Sequence, residues 1–391
     1  MFKARKLREG IYWVGATDWS VRNFHGYSTE RGSTYNAYLL VSDKIALIDT
    51  VKPGFSEEML SRIRTVVDPS KIDFVVSNHA EPDHSGALRE IAEIAPNAEI
   101  YTVAGSGKKA LSLYYGELPL KEIRTGDKLN LGKLSLSFVQ TPMVHWPDNM
   151  VSYCEEEKIL FSNDAFGQHF ASSGILDVEN DAAEIAYQAK KYYANIVNPY
   201  TAQVEKALAA LAGLDIGLIA PSHGVLWTNP GTAIELYRSF IGARREKAVV
   251  VFDSMWHSTE RMAEAVAETF REAGLDTKVC DLKVWHNSDI LTELLDAKIL
   301  AVGSPCLNSN IMPTVSAFLC YLKGLKYDPK RTVVFGSYGW NPAYLGEIEQ
   351  TLAGMKYVPL LPAFKNQFRP DAAAIAKLKS ELSAALAGTE G

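Results

Sequence analysis

From Ala248 to the end of the chain, short apolar runs alternate with helical stretches, and few folds satisfy that alternation. Ala248-Val-Val-Val-Phe252 reads as a buried strand, followed by a helix over about 259–273. Thr277-Lys-Val-Cys-Asp281, Ile299-Leu-Ala-Val-Gly303 and Thr332-Val-Val-Phe-Gly336 read as further strands. Helices are predicted over about 288–295, 313–323, 344–355 and 371–387. Strand and helix in this order predict a doubly wound parallel sheet with ligands at the carboxyl ends of its strands.

The first part of the chain has a different grammar. Ile11–Val14, Tyr35–Val41, Ile45–Asp49, Phe74–Asn78 and Leu134–Val139 read as short strands. Helices are fewer, over about 55–66, 85–95 and 181–213, the last broken at Asn198-Pro199. This pattern predicts a layered α/β sandwich. The change falls near the basic segment Arg244-Arg-Glu-Lys247, which predicts domains over 1–246 and 247–391. There is no internal repeat and no low-complexity linker.

Composition narrows the function. The 391 residues are 47% apolar and 22% charged, the proportions of a globular protein in water. A net charge of −6 gives no electrostatic support to a general nucleic-acid role. No apolar run is long enough to span a bilayer, and the charged N-terminus is not followed by the apolar segment of a signal peptide. A cytoplasmic protein is expected. Cys154, Cys280, Cys306 and Cys320 stand far apart with no C-x-x-C pair. Reduced thiols are therefore expected rather than a disulfide framework or a four-cysteine metal site. Any metal must be held by His and carboxylate side chains.

Such side chains cluster in the loop after Phe74–Asn78. His79, Glu81, Asp83 and His84 occupy six consecutive positions with Ala80 and Pro82. In extended chain 79, 81 and 83 share a face. His84 can join them if Pro82 and the following helix start bend the backbone. A helix cap would account for Asp83 or Ser85, but not for all four ligand types. Three more candidates follow apolar strands: His145 after 138–144, Asp164 after 159–163, and His223 after 216–222. Loops leaving a rigid sheet are where functional side chains concentrate.

This order, H-x-[EH]-x-D-H followed by His, Asp and His, resembles the metallo-β-lactamase superfamily. Most hydrolases of that superfamily carry a second His where this chain has Glu81. The Glu resembles the flavodiiron proteins, also called A-type flavoproteins or rubredoxin:oxygen oxidoreductases. The resemblance spans nearly the whole chain and includes Asn78–Gly86, His145-Trp-Pro-Asp148, Asn163–Gly167 and Tyr192-Tyr-Ala-Asn195. It implies a metallo-β-lactamase-like αββα sandwich followed by a flavodoxin-like sheet. It also implies two non-haem irons bridged by Asp164 and a solvent-derived oxygen. His79, Glu81 and His145 would hold the iron nearer the flavin, and Asp83, His84 and His223 the other. In some relatives the residue matching His84 is swung away from the metal. Charge supports this reading: three carboxylates and one hydroxide would balance two divalent ions. Glu81 in place of a His hardens the site, which tilts it toward iron over zinc.

The second half lacks G-x-G-x-x-G after a strand and lacks a P-loop. Instead, the first strand runs into Ser254, Met255, Trp256, His257, Ser258 and Thr259 at a helix start. Hydroxyls and free N–H groups there can cradle a phosphate, and can equally be an ordinary helix cap. Pro305, Cys306, Leu307 and Asn308 follow the next inner strand, and Ser337, Tyr338, Gly339 and Trp340 the one after. Tyr338 and Trp340 read either as flavin neighbours or as surface aromatics. Together the three loops resemble the phosphate and isoalloxazine loops of flavodoxins. FMN is expected over FAD, since nothing resembles an adenylate site.

By resemblance the protein reduces O2 to water, NO to N2O, or both, and so guards against oxygen or nitrosative stress. Two ferrous ions and reduced FMN hold the four electrons that O2 requires. The family works as a head-to-tail homodimer or a dimer of dimers, one subunit's FMN facing the other's irons. No rubredoxin or reductase module is evident, so an external donor is expected, such as a rubredoxin or a reduced deazaflavin. His25 and Tyr193 resemble groups that protonate or hydrogen-bond bound oxygen species, and His169 is a further candidate. Each is equally readable as structural. Two rivals remain at this point: a dizinc hydrolase fused to a flavodoxin-like domain, and an electron carrier with a vestigial metal site.

Overall fold

The computed structural model describes residues 2–388. The chain forms two compact units. One holds the chain up to Tyr192 together with Tyr200–Arg238; the other holds Tyr193–Pro199 and the chain from Ser239 on.

The first unit is built on two sheets. In the seven-stranded sheet the strands lie in the order Arg5–Arg8, Ile11–Trp13, Tyr38–Val41, Ile45–Ile48, Phe74–Ser77, Glu99–Val103 and Leu120–Ile123. The pairs up to Ile45–Ile48 are antiparallel and the remainder parallel. The five-stranded sheet runs Lys128–Asn130, Ser135–Gln140, Met150–Cys154, Ile159–Asn163 and Leu218–Pro221. Strand periodicity divides the side chains between two cores. Tyr38, Leu40, Ala46, Ile48 and Val76 join Leu136, Phe138, Phe161 and Leu218 of the other sheet in one cluster. Leu39, Leu47 and Val75 point the opposite way, onto Met59, Leu60, Ile63, Leu88 and Ile91 of the helical layer. Burial on both faces explains why these strands read as continuous apolar runs.

Several elements differ from expectation. The strand expected over 35–41 is two strands. Ser33–Tyr35 pairs with Ala16–Asp18, whereas Tyr38–Val41 joins the large sheet. Between them Asn36 donates from its backbone to the Ser222 carbonyl at 2.8 Å and from its side chain to that of Pro221 at 2.8 Å. Those bonds draw the chain out of line. Helices Ser106–Tyr115 and Pro230–Phe240 are additional to those expected. The first hides behind Gly105-Ser-Gly107, which reads as a loop. Gly107 is required by packing, because a Cβ there would lie 2.5 Å from Thr102 Oγ1. The break at Asn198-Pro199 is present: a wide turn over Tyr193–Val197 and a tight one over Asn198–Tyr200 separate Ala182–Tyr192 from Thr201–Leu211.

The second unit is a parallel sheet whose spatial order is Asp276–Asp281, Arg245–Phe252, Ala297–Gly303, Arg331–Tyr338, with Val358–Pro359 and Phe364–Gln367 both on the last edge. This 2-1-3-4-5 arrangement is the flavodoxin order. The seam expected at 246/247 lies inside its first strand, Arg245–Phe252. Met262, Val266 and Phe270 of helix Ser258–Glu272 pack with Leu378 and Leu382 of helix Ala372–Ala387 over the central strands. All four cysteines are free thiols. No helix among the described residues is long and apolar enough to cross a membrane.

Candidate metal centre and flavin cavity

Pro82 starts a short helical turn, Pro82–Ser85, directly after the strand Phe74–Ser77 and its polar loop. The turn answers how His84 reaches the cluster: it rotates Asp83 and His84 inward, and both are buried. His145 lies on the loop between Ser135–Gln140 and Met150–Cys154. Asp164 follows the strand Ile159–Asn163, and His223 follows Leu218–Pro221.

All seven side chains converge. His79 Nε2 and His145 Nε2 lie 3.2 and 3.4 Å from Glu81 Oε2, and 3.7 and 3.4 Å from Asp164 Oδ2. His84 Nε2 and His223 Nε2 lie 3.4 and 3.1 Å from Asp83 Oδ2, and 3.0 and 3.6 Å from Asp164 Oδ1. Asp164 thus turns one oxygen to each set. Within each set, His79, Glu81, His145 and Asp164 or Asp83, His84 and His223, the donor atoms lie within 4.8 Å of one another.

The atoms themselves test whether this pocket suits metal. Both oxygens of Asp83, both ring nitrogens of His84, His145 Nε2, Asp164 Oδ2 and His223 Nε2 are buried without a hydrogen-bond partner among the described residues. Buried polar atoms are rarely left unpaired. A convergent group of unpaired carboxylate oxygens and imidazole nitrogens fits two cations. The outer nitrogens of two rings are fixed from behind. His79 Nδ1 faces Asp148 Oδ2 at 3.1 Å, and the same oxygen accepts from the Ala80 N–H at 2.7 Å. His223 Nδ1 faces the Thr34 carbonyl at 2.7 Å. Both contacts place the Nε2 lone pair toward the cluster. Burial opposes ionisation of Asp164, but the imidazoles of His84 and His145 outweigh it and hold the carboxyl well below its usual range.

Three expected neighbours fall in different places. His25 sits at the tip of the hairpin Asn23–Phe24/Tyr27–Ser28 with φ +53°. Its Nε2 lies 3.2 Å from Glu81 Oε1 and 3.7 Å from Asp83 Oδ2. His169 is behind the cluster, its Nδ1 2.8 Å from Ser33 Oγ and its ring 4.6 Å from that of His223. Burial and the neighbouring His223 hold it well below the usual imidazole range, so it is neutral. The phenol that touches the carboxylates is Tyr192, one residue before the expected Tyr193. Tyr192 donates to Asp164 Oδ1 at 3.0 Å, whereas the Tyr193 ring packs on Phe240. Consecutive helical residues point about 100° apart, so the two side chains diverge.

In the second unit, a cavity of about 470 Å³ opens at the carboxyl ends of the parallel strands. Every expected residue of the three loops lines it except His257 and Thr259. His257 points outward, with its side chain 85% exposed and paired with Glu260. Thr259 is buried, and its Oγ1 lies 3.1 Å from Ser337 Oγ, which ties two of the loops together. Phe368 and Arg369 also line the cavity. Sequence reasoning missed them because the strand Phe364–Gln367 that delivers them is short and polar. Ser254 Oγ, in the loop before helix Ser258–Glu272, is buried without a partner among the described residues, which suits a phosphate cradle. Loops, hydroxyls and aromatics together fit FMN.

Comparison with known proteins agrees with both sites. The family described as "ODP family beta lactamase" matches residues 34–224, and "Flavodoxin" matches residues 250–378. The chain is similar to a nitric oxide reductase of Moorella thermoacetica, with 42% identity over 90% of each chain. The solved rubredoxin oxygen:oxidoreductase of Desulfovibrio gigas superposes with a TM-score of 0.95, at 38% identity over 99% of both chains. The flavodiiron protein of Giardia intestinalis gives 0.93, at 32% identity over 99% of this chain and 97% of its own. With a carboxylate-and-imidazole pocket for two metals and an FMN cavity in one polypeptide, this chain belongs to the flavodiiron protein family of oxidoreductases.

Proposed function

We propose that the protein is a cytoplasmic reductase of O2, NO or both, working as a head-to-tail homodimer or a dimer of dimers and drawing electrons from a rubredoxin or a reduced deazaflavin. The observation that carries this reading is the paired donor set around Asp164, one carboxylate oxygen facing each half. Nitric oxide reductase and rubredoxin oxygen:oxidoreductase, the names of two similar proteins, support the two gases as substrates and rubredoxin as a donor.

In this reading His79, Glu81 and His145 would hold one iron and Asp83, His84 and His223 the other, with Asp164 available to both. Bound iron and FMN supply open coordination positions and electrons. The chain's part is to position and to exclude. Asp148 and the Thr34 carbonyl keep the His79 and His223 rings turned inward. His25 Nε2, close to Glu81 Oε1, offers a hydrogen-bonding nitrogen beside the donor set. Tyr192 keeps its proton, since burial and Asp164 push its phenol well above the usual range.

A hydrolase that uses two zinc ions would have no need of the flavin cavity, and a simple carrier no need of the buried donor set. The test is to reduce the iron- and FMN-replete protein anaerobically and follow O2 and NO by electrode, with metal and flavin analysis alongside. Consumption of either gas in step with FMN reoxidation is expected. Consumption of neither by the replete protein would overturn the proposal.

A further inference from the structure

Two lysines are buried at the amino-terminal edge of the parallel sheet in the second unit, and their surroundings differ. Lys247, in the strand Arg245–Phe252, is 4% exposed, and its ammonium meets Glu293 at 2.7 Å and Asp296 at 3.1 Å. Lys330, just before the strand Arg331–Tyr338, is 3% exposed. Its Nζ donates to the Ala297 carbonyl at 2.7 Å, and among the described residues no carboxylate pairs with it. One carbonyl serves one of three N–H donors. A buried charge without a directly paired counter-ion is costly; Arg244 adds repulsion, and Asp328 and Asp296 offset it from a distance.

Lys330 lines a cavity of about 300 Å³ together with Arg244, Lys298, Arg331, Pro329 and Val358. The lining has four basic side chains and no carboxylate. Arg244 reaches Asp328 at 3.6 Å, and Lys298 reaches Glu246. Arg331 has no carboxylate partner among the described residues. Tyr357, directly before Val358, is 3% exposed, and its buried hydroxyl has no hydrogen-bond partner among the described residues. It lies within electrostatic reach of Arg244. This edge is the opposite end of the strands from the FMN cavity.

We propose that this cavity binds a small phosphate-class oxyanion, inorganic phosphate or a compact phosphomonoester, between Lys330, Arg244 and Arg331. Lys330 acts as the buried point charge, while the two guanidinium groups offer planar, paired donors. The anion completes the ion pairing that Lys247 has from its own chain and Lys330 does not. A cavity of this size is at the small end for ligand sites and excludes a dinucleotide.

The test uses FMN-replete protein, so that the flavin's own phosphate cradle is filled. Inorganic phosphate, and separately glycerol phosphate, are titrated calorimetrically in a buffer free of phosphate and sulfate. One saturable site per chain is expected. Lys330→Met and Arg331→Gln should each weaken it at least tenfold with FMN content unchanged. Arg331 is exposed, so its variant keeps the test valid if Lys330→Met fails to fold. Tighter binding of glycerol phosphate identifies a phosphomonoester as the ligand, and equal or weaker binding identifies the free ion. Absence of saturable binding, or binding unaltered in Arg331→Gln, would overturn the proposal.

Discussion

The hydroxyl of Tyr192 lies 3.0 Å from Oδ1 of Asp164, the carboxylate oxygen that faces His84 and His223. Asp164 Oδ2, which faces His79 and His145, has no hydrogen-bond partner among the described residues. The two oxygens of the bridging carboxylate are therefore inequivalent before any metal arrives. Tyr192→Phe removes a hydrogen bond to a charged, buried acceptor, a contribution of about 1.5–3 kcal/mol. The variant should lose stability of that order in metal-free denaturant titrations. It should also lose metal first from the Asp83, His84, His223 half. An equal loss from both halves would deny the asymmetry. Tyr193→Phe, one residue later, should leave metal content unchanged.

Asp148 acts on His79 from behind, accepting from the Ala80 N–H while facing His79 Nδ1. Burial opposes protonation of His79, but Asp148 and Glu81 outweigh it and raise its pKa well above the ordinary value. The same carboxylate therefore both orients the ring and raises its basicity. Asp148→Asn keeps the size and the amide contact but removes the charge. Loss of such a supporting carboxylate typically costs 10- to 100-fold in metal affinity. Competition with a chelator of known strength would read that loss. The FMN content should not change.

Glu81 faces His79 and His145, and the residues that line the flavin cavity all belong to the second unit. Glu81→Ala should therefore lower iron content and gas consumption while FMN remains bound. Iron and flavin analysis on the same sample would check this. Loss of FMN with iron retained would contradict the assigned roles.

Much of this arrangement was legible in the chain, and the illegible parts have physical reasons. The strands of the second unit are buried on both faces, so Ala248–Phe252 and Ile299–Gly303 stand out as unbroken apolar runs. The loops at their carboxyl ends could then be picked out as ligand-binding segments. The metal side chains stood out because His79, Glu81, Asp83 and His84 crowd one loop. Asp148 did not, since its role depends on the fold bringing it behind His79 from 69 positions away. Thr34 acts on His223 through a backbone carbonyl, which no residue type announces. Tyr192, adjacent to the expected Tyr193, did not stand out, because consecutive helical residues point about 100° apart and only the fold shows which phenol meets Asp164. Phe368 and Arg369 follow a strand too polar to stand out by periodicity.

Burial and Arg244 push the Lys330 ammonium down to about 7, against its ordinary value of 10.5. Arg244 and Lys247 face it with like charge, and Asp328 and Asp296 act in the opposite direction. The unfolded chain therefore binds the extra proton between about pH 7 and 10.5, while the folded chain does not. Stability from this group rises with pH across that window and is lowest below it. The difference amounts to at most about 4–5 kcal/mol, at roughly 1.36 kcal/mol for each pH unit that the window spans. Lys330→Met removes the penalty. Relative to the natural chain, the variant should be most stabilised at about pH 7 and below, and the gain should fade toward the upper end of the window. Denaturant titrations at several pH values, in phosphate-free buffer, would measure this difference. Saturating phosphate should raise the stability of the natural chain near the lower end of the window and leave the variant unmoved. A gain that is constant with pH would mean that Lys330 carries no titration penalty in the fold.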